Sequence, residues 1–234
     1  MQTEDGRKTL KDQFVETLEK KILSGEYPIG SRVPTERELA LSFSISRVVV
    51  RSGIAELAGM GFLEIQPRQG AFVADFRKTG SVGALVSIMK NTGEILRPDE
   101  IKSIIEIRMA FEIVTIKNVI HNCSDEEISS LNPFVDNLEK AKTSNEVAEA
   151  LYEFHHNLNL LSGNTLIPMF YASFKTTILG LWSRYCKKYG KEVLLHNTFS
   201  LLDNIKSRDE IKAIAWCNEY LNYSIKGEYE IYEG

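Results

Sequence analysis

The sequence is short of several things, and each shortage removes a class of protein. Only three of its 234 residues are cysteine (Cys123, Cys186, Cys217), odd in number and far apart. That spacing fits neither a disulfide framework nor a CxxC metal site, and reads as thiols in a reducing cytoplasm. No apolar run approaches the roughly 18 residues a membrane span needs. The first six residues, MQTEDG, lack the apolar core of a signal peptide, so a cytoplasmic location is expected. There is no HExxH, no glycine-rich phosphate loop, and no pattern pairing a cysteine with a base. An enzyme is therefore not expected. Net charge is also small, at -4, which at first sight argues against a nucleic-acid partner.

The 43% hydrophobic and 26% charged composition is ordinary for a folded globular chain. The charge is unevenly spread. Residues 1–78 carry 12 Lys/Arg against 11 Asp/Glu, and the remainder 16 against 21. A nearly neutral head thus precedes an acidic body. The segment from Asp75 to Gly80 has no apolar period and reads as a linker. The boundaries expected are a first domain over 1–76, a linker over 77–81 and a second domain over 82–234.

In the head, Leu10, Phe14, Leu18 and Ile22 recur every four residues, predicting a helix from Thr9 to Ser24 with Gly25 past its end. Thr35-Glu36-Arg37-Glu38 has the form of a capping box and opens a short helix ending near Phe43. Ser46 is placed to cap a third helix that runs to Met60, with Gly61 beyond it. The short link between these two helices is what a helix-turn-helix needs. Phe62–Ile65 and Ala71–Ala74 are β-prone runs around the turn-rich Gln66–Gly70, predicting a hairpin. A recognition helix offers its N-terminal residues to base edges in the major groove. Here that turn carries Arg47 and Arg51 on one face, and arginine matches guanine O6 and N7 or phosphate. Arg37 can join them, Ser46 can donate to a phosphate, and Arg68 with Gly70 forms a tip that can approach DNA closely. The alternative is that these arginines are ordinary solvated surface.

Pro34-Thr35-Glu36-Arg37-Glu38-Leu39-Ala40, Ser46-Arg47 through Arg51, Gly61-Phe62-Leu63 and Gly70-Ala71-Phe72-Val73 together resemble the winged helix of GntR-family bacterial transcription regulators. The resemblance covers about residues 9–76. It implies operator contacts at Arg37, Ser46, Arg47, Arg51 and Gly70. Where that family often has Thr, this chain has Val49, so a phosphate contact is lost. The run Val48-Val49-Val50 is expected to meet apolar features such as a thymine methyl. Gly53, inside the same helix, costs about 1 kcal/mol relative to Ala.

The second domain reads as six or seven antiparallel helices. They are expected over 81–90, from Pro98 to about Ile120, from Ser124 onward with a break at Pro133, over 144–161, 165–189 and 191–205, and from Ser207 to Lys226. The whole chain is thus mainly α, a winged helix-turn-helix followed by a helical bundle. On the long helix Ile101, Ile104, Arg108, Phe111 and Thr115 form one stripe, with Arg108 on an otherwise apolar face. A buried guanidinium needs an anion, either a protein carboxylate such as Glu112 or a ligand carboxylate. Trp182 and Trp216 read as core or interface aromatics, and His121 as a surface or capping residue.

Glu106–Glu112, Phe154-His155, Ser162-Gly163-Asn164 and His196 resemble the all-helical effector domain of the FadR-type subgroup, over about residues 82–226. Many members of that subgroup hold a divalent metal through one Asp and three His, with small carboxylate effectors at or beside it. By this resemblance His155 and His196 match metal ligands, Leu151 stands at the Asp position and Tyr220 at the last His. Two ligands of four are too few for a tight site. A degenerate metal site and no cofactor are therefore expected. Either His155 and His196 are satisfied core histidines, or they hydrogen-bond an effector directly, with Arg108 holding its carboxylate and Tyr220 offering a hydroxyl. The resemblance implies a homodimeric regulator on double-stranded operator DNA, a repressor released by a small carboxylate, with no membrane partner. The competing reading is a regulator whose helical domain only dimerises.

Overall fold

The computed structural model describes residues 8–91, 98–226 and 229, and divides into two compact units, 1–91 and 92–234. The first unit opens with α1 (Leu10–Leu23). Thr9 and Asp12 close a capping box at its start, and Ser24 caps its end with Gly25 at φ +80°. Phe14, Leu18 and Ile22 are buried, whereas Leu10 is 60% exposed. Next come α2 (Glu36–Ser42), under the Thr35/Glu38 capping box, and α3 (Arg47–Met60), capped by Ser46 and ended by Gly61 at φ +89°.

Strands β1 (Leu63–Gln66) and β2 (Gly70–Val73) pair antiparallel, with Leu63 opposite Val73 and Gln66 opposite Gly70. Both lie within one residue of the expected runs. A feature absent from the sequence reading is the extra pairing of residues 30–33 on β2. The Gly30 amide donates to Val73 O at 2.8 Å, the Val33 amide to Ala71 O at 3.0 Å, and the Val73 amide to Ser31 O at 2.9 Å. These bonds satisfy the outer edge of the wing.

The expected linker is structured and belongs to the head. Residues 76–79 form one turn, α4 (Phe76–Thr79), and α5 (Val82–Asn91) packs on α3. Ala84 joins the core of Leu18, Leu57, Phe62 and Val73, and Ser87 donates to the fully buried Glu19 at 2.6 Å. The division between units therefore lies at Asn91/Thr92 and not within 77–81. The physical reason is α5's apolar face, which is covered by head residues.

The second unit holds α6 (Pro98–Asn122), α7 (Asp125–Ser129), α8 (Asn132–Lys140), α9 (Ser144–Leu161), α10 (Ile167–Ser173), α11 (Lys175–Tyr189), α12 (Lys191–Lys206) and α13 (Glu210–Ile225). Helix α9 packs against α8, α10 and α11, and α13 lies on α6 and α12. Two expectations need correction. The helix expected over 165–189 is broken at Phe174, which ends α10 and starts α11. The last helix is capped by Asp209, whose carboxylate accepts from the Lys212 amide at 2.9 Å, and not by Ser207. Arg208 between them adopts φ +58° and donates to Ile120 O and Asp125, which holds the turn in place. Among the described residues no helix is long and apolar enough to cross a membrane.

Candidate nucleic-acid interface and bundle cavity

The α2–α3 pair sets the basic groups of the head. Ser46 spends its hydroxyl oxygen on the Val49 amide, at 3.3 Å, which fixes the start of α3 while leaving the O–H to donate outward. Arg47 and Arg51 side chains are 65% and 71% exposed on the same face. Arg37 is exposed on α2. Arg51 makes a two-pronged ion pair with Glu36, Nε to Oε1 at 3.1 Å and Nη2 to Oε2 at 3.0 Å. Arg47 Nη2 stands 3.8 Å from the same carboxylate. Burial slightly opposes ionisation, but the Arg51 hydrogen bonds come first and hold the Glu36 carboxyl below its usual range.

The valine run divides rather than acting together. Val48 is 79% exposed, Val49 half-buried and Val50 fully buried in the head core. Only Val48 stands free to meet a base, because successive helical residues turn by about 100°. At the wing tip Arg68 takes φ +66° and Gly70 φ +115°. A Cβ on Gly70 would come within 3.0 Å of the Arg32 guanidinium, so glycine keeps this tip slim and places a further arginine beside it. Arg32 was not singled out in the sequence, where it falls outside the helix motifs. Gly53 also gains an explanation. A Cβ there would sit 2.5 Å from Phe14 Cδ1, so the glycine lets α1 pack against α3.

In the second unit, the buried face of α6 runs through Ile101, Ile105, Glu112, Thr115, Ile116 and Val119. Arg108 lies at its margin, with its side chain 24% exposed. Its anionic partner is Glu112, one turn on and 5% exposed, with Nε to Oε2 at 3.1 Å. Tyr220 from α13 donates to the other oxygen of Glu112. From α9, His155 places Nε2 at 3.2 Å from Arg108 Nη2 and Nδ1 at 3.6 Å from Glu112 Oε1. A guanidinium can only donate, so His155 Nε2 accepts and the ring proton sits on Nδ1, facing the carboxylate. Trp182 stacks on His155 at 5.3 Å and lies 5.0 Å below the Arg108 guanidinium.

The electrostatics follow from burial and charge. Burial outweighs the attraction of Glu112 and lowers the His155 pKa to about 4, so the ring is neutral. Burial alone would raise Glu112, yet Arg108, His155 and the Tyr220 hydroxyl together hold it low and ionised. Burial, and then the neighbouring Glu112 charge, push the Tyr220 hydroxyl well above its ordinary range. Arg108, His155, Trp182 and Tyr220 line a small cavity of about 40 Å³, together with Leu151, Leu194, Asn197, Thr198 and Ser224.

His196 is not part of this cluster. It is exposed on α12 with its ring edge-on to Trp216 at 5.4 Å, and it borders a neighbouring pocket. The α12 side chains buried at the cavity are Leu194 and Thr198, and the Thr198 hydroxyl, two residues beyond His196, donates to Leu194 O at 2.8 Å. The expected pairing of His155 with His196 is thus corrected. A divalent metal does not fit the residues present. Leu151 offers no donor atom, Thr198 and Tyr220 hydroxyls are committed, and His155 Nε2 faces a fixed cation, Arg108. Among the described residues no cluster of three or more His, Cys, Asp or Glu could hold a metal ion.

A capped helix pair, a hairpin wing edged by arginines and a separate helical bundle define a DNA-binding regulator with an attached helical domain. The model of "Bacterial regulatory proteins, gntR family" matches residues 10–73, and that of the FCD domain matches residues 103–223. The chain belongs to the GntR family of transcription regulators that carry an FCD domain; it is a regulator, not an enzyme. Similar chains include the HTH-type transcriptional regulator YcbG of Bacillus subtilis, 27% identical over 93% of this chain and 89% of that one. The HTH-type transcriptional repressor NanR of Klebsiella aerogenes is 27% identical over 85% of this chain and 75% of its own. The fatty acid metabolism regulator protein of Shewanella pealeana is 28% identical over 72% and 67%. Among solved structures, Lar, described as controlling the Listeria monocytogenes agr system, shares the fold. Its TM-score is 0.64 at 16% identity, over 94% of this chain and 97% of that one.

Proposed function

We propose that this regulator is a homodimeric repressor released by a small carboxylate, which it binds without a metal. Arg37, Ser46, Arg47, Val48 and Arg51, with Arg68 and Gly70 at the wing, form its operator-reading face. The sense of regulation is drawn from the relatives named repressors. The observation that carries the ligand class is the Arg108 guanidinium at the wall of this small cavity. Its Nε and Nη2 are engaged, and among the described residues no partner meets Nη1. A ligand carboxylate there would gain a charge-assisted bond in a low-dielectric site.

A cavity of 40 Å³ has room for roughly two or three waters, or for one carboxylate group. A whole metabolite therefore enters only if the walls move, and that movement is the signal. By linkage, DNA and effector then oppose each other's binding equally. A panel of small mono- and dicarboxylates, scored by release of the full chain from a selected DNA site, tests this. Release by a carboxylate, lost in Arg108→Met, is the expected result. No release by any member would favour the second reading, a bundle that only dimerises. That reading has its own support, because Glu112 already neutralises Arg108.

A further inference from the structure

The pocket that His196 borders has a different character from the Arg108 cavity beside it. Its volume is about 380 Å³, within the range of ordinary small-molecule sites, roughly 300–1,000 Å³. Trp216, Tyr220 and Tyr223 from α13 and Tyr185 from α11 supply its walls, and Glu192 and Glu219 lie at its margin. No lysine or arginine lines it among the described residues. Lys191, next in sequence to Glu192, is turned away and donates to Glu139 O at 2.8 Å and Ala141 O at 3.0 Å. Neither Glu192 nor Glu219 has an ion-pair partner among the described residues. A metal ion is not the complement, since His196, Glu192 and Glu219 do not converge as a ligand cluster.

Aromatic faces carry negative electrostatic potential, and an organic cation held over them within about 6 Å is attracted. Two unpaired carboxylates add long-range attraction for positive charge and repel anions. A neutral apolar ligand would use the rings but leave the carboxylates without a role. We propose that this pocket binds a small organic ammonium ion, with its alkyl groups against Trp216 and the tyrosines and its charge toward Glu192 and Glu219. It is a second ligand compartment with the opposite charge preference to the Arg108 cavity. The two share Tyr185, Asn197 and Tyr220 as common wall.

Calorimetric titration of the full chain with choline and with its neutral carbon isostere, 3,3-dimethylbutan-1-ol, separates charge from shape. The expected result is choline binding about tenfold tighter than the isostere, in line with the strength of desolvated cation–π contacts. The double variant Glu192→Gln/Glu219→Gln, at exposed positions that keep the fold, should lose most of that preference with an unchanged melting temperature. Trp216→Leu should weaken choline and isostere together. Equal binding of the two compounds, no binding of choline at millimolar concentration, or a preference that survives the double variant would each overturn the proposal. The carboxylate panel at Arg108 is a separate titration, so either reading can fail while the other stands.

Discussion

Glu36 and Arg51 face each other across α2 and α3 in a two-pronged ion pair, and the same carboxylate stands within 3.8 Å of Arg47. An acid thus sits among the basic groups of the face proposed to read DNA. It orders the arginines, and it also subtracts charge that would otherwise go to phosphate. Glu36→Gln is expected to raise affinity for random DNA and steepen its salt dependence, while the ratio of selected-site to random-site affinity falls. Competition titrations at two salt concentrations measure both. An unchanged ratio would leave Glu36 as a structural partner alone.

Arg47 is mainly exposed and has no two-pronged partner, so it is free to meet a base edge. Arg47→Ala should cost about 1–3 kcal/mol at a selected site and relax preference at one base position. Equal affinity of variant and parent would remove α3 as the reading helix.

Replacing a helical glycine by alanine ordinarily stabilises by about 1 kcal/mol. At Gly53 the sign should reverse, because the new Cβ would meet Phe14 Cδ1 at 2.5 Å. Overpacking of this kind costs about 1–3 kcal/mol. Chemical denaturation of Gly53→Ala should show the loss, and Phe14→Leu added to it should recover part. A stabilised single variant would mean that α1 and α3 separate at little cost.

The bundle should weaken in acid through His155. Its folded pKa of about 4 lies below the ordinary 6.5, so below pH 6.5 the unfolded chain binds the extra proton. Stability is therefore full above pH 6.5 and falls as pH drops toward 4, by about 3 kcal/mol at most for this group. Glu112, held low in the fold, adds loss in the same direction at still lower pH. His155→Gln should flatten the profile between pH 6.5 and 4. A slope identical to that of the parent would place the acid sensitivity elsewhere.

Chelation offers a further check. Because Thr198, Tyr220 and Leu151 give a divalent ion no free donors, EDTA should leave the melting temperature and DNA affinity unchanged. A drop in either, reversed by zinc or nickel, would contradict the misfit described here.

Much of the head was legible because its punctuation is local. Thr35 with Glu38, Ser46 and Gly61 each satisfy or terminate a helix end through near neighbours, and their spacing carries the reason. The role of α5 was not legible, since its burial depends on Glu19 and Leu57 far along the chain. Nor was the break at Phe174, where no proline or glycine marks the change. The bundle site was read in part. The apolar stripe of α6 drew attention to Arg108, which lies at the margin of the buried face beside Glu112, one of the two kinds of partner expected for it. His196 borders the adjoining pocket and not the Arg108 cavity, because the two-residue step from it to Thr198 rotates the side chain by about 200°. Thr198, an unremarkable residue in sequence, holds the inward position.

The end of α3 has a consequence for how this head could be moved between proteins. Thr79 donates to Gly61 O at 2.9 Å, and the Ser81 amide donates to Met60 O at 2.9 Å. A Cβ at Gly61 would meet Thr79 O at 2.2 Å, so the outgoing chain is seated on the glycine itself. A graft cut at residue 77 or 81 would strip α3 of its back support and leave Glu19 facing a vacated groove. The portable cassette ends after Asn91.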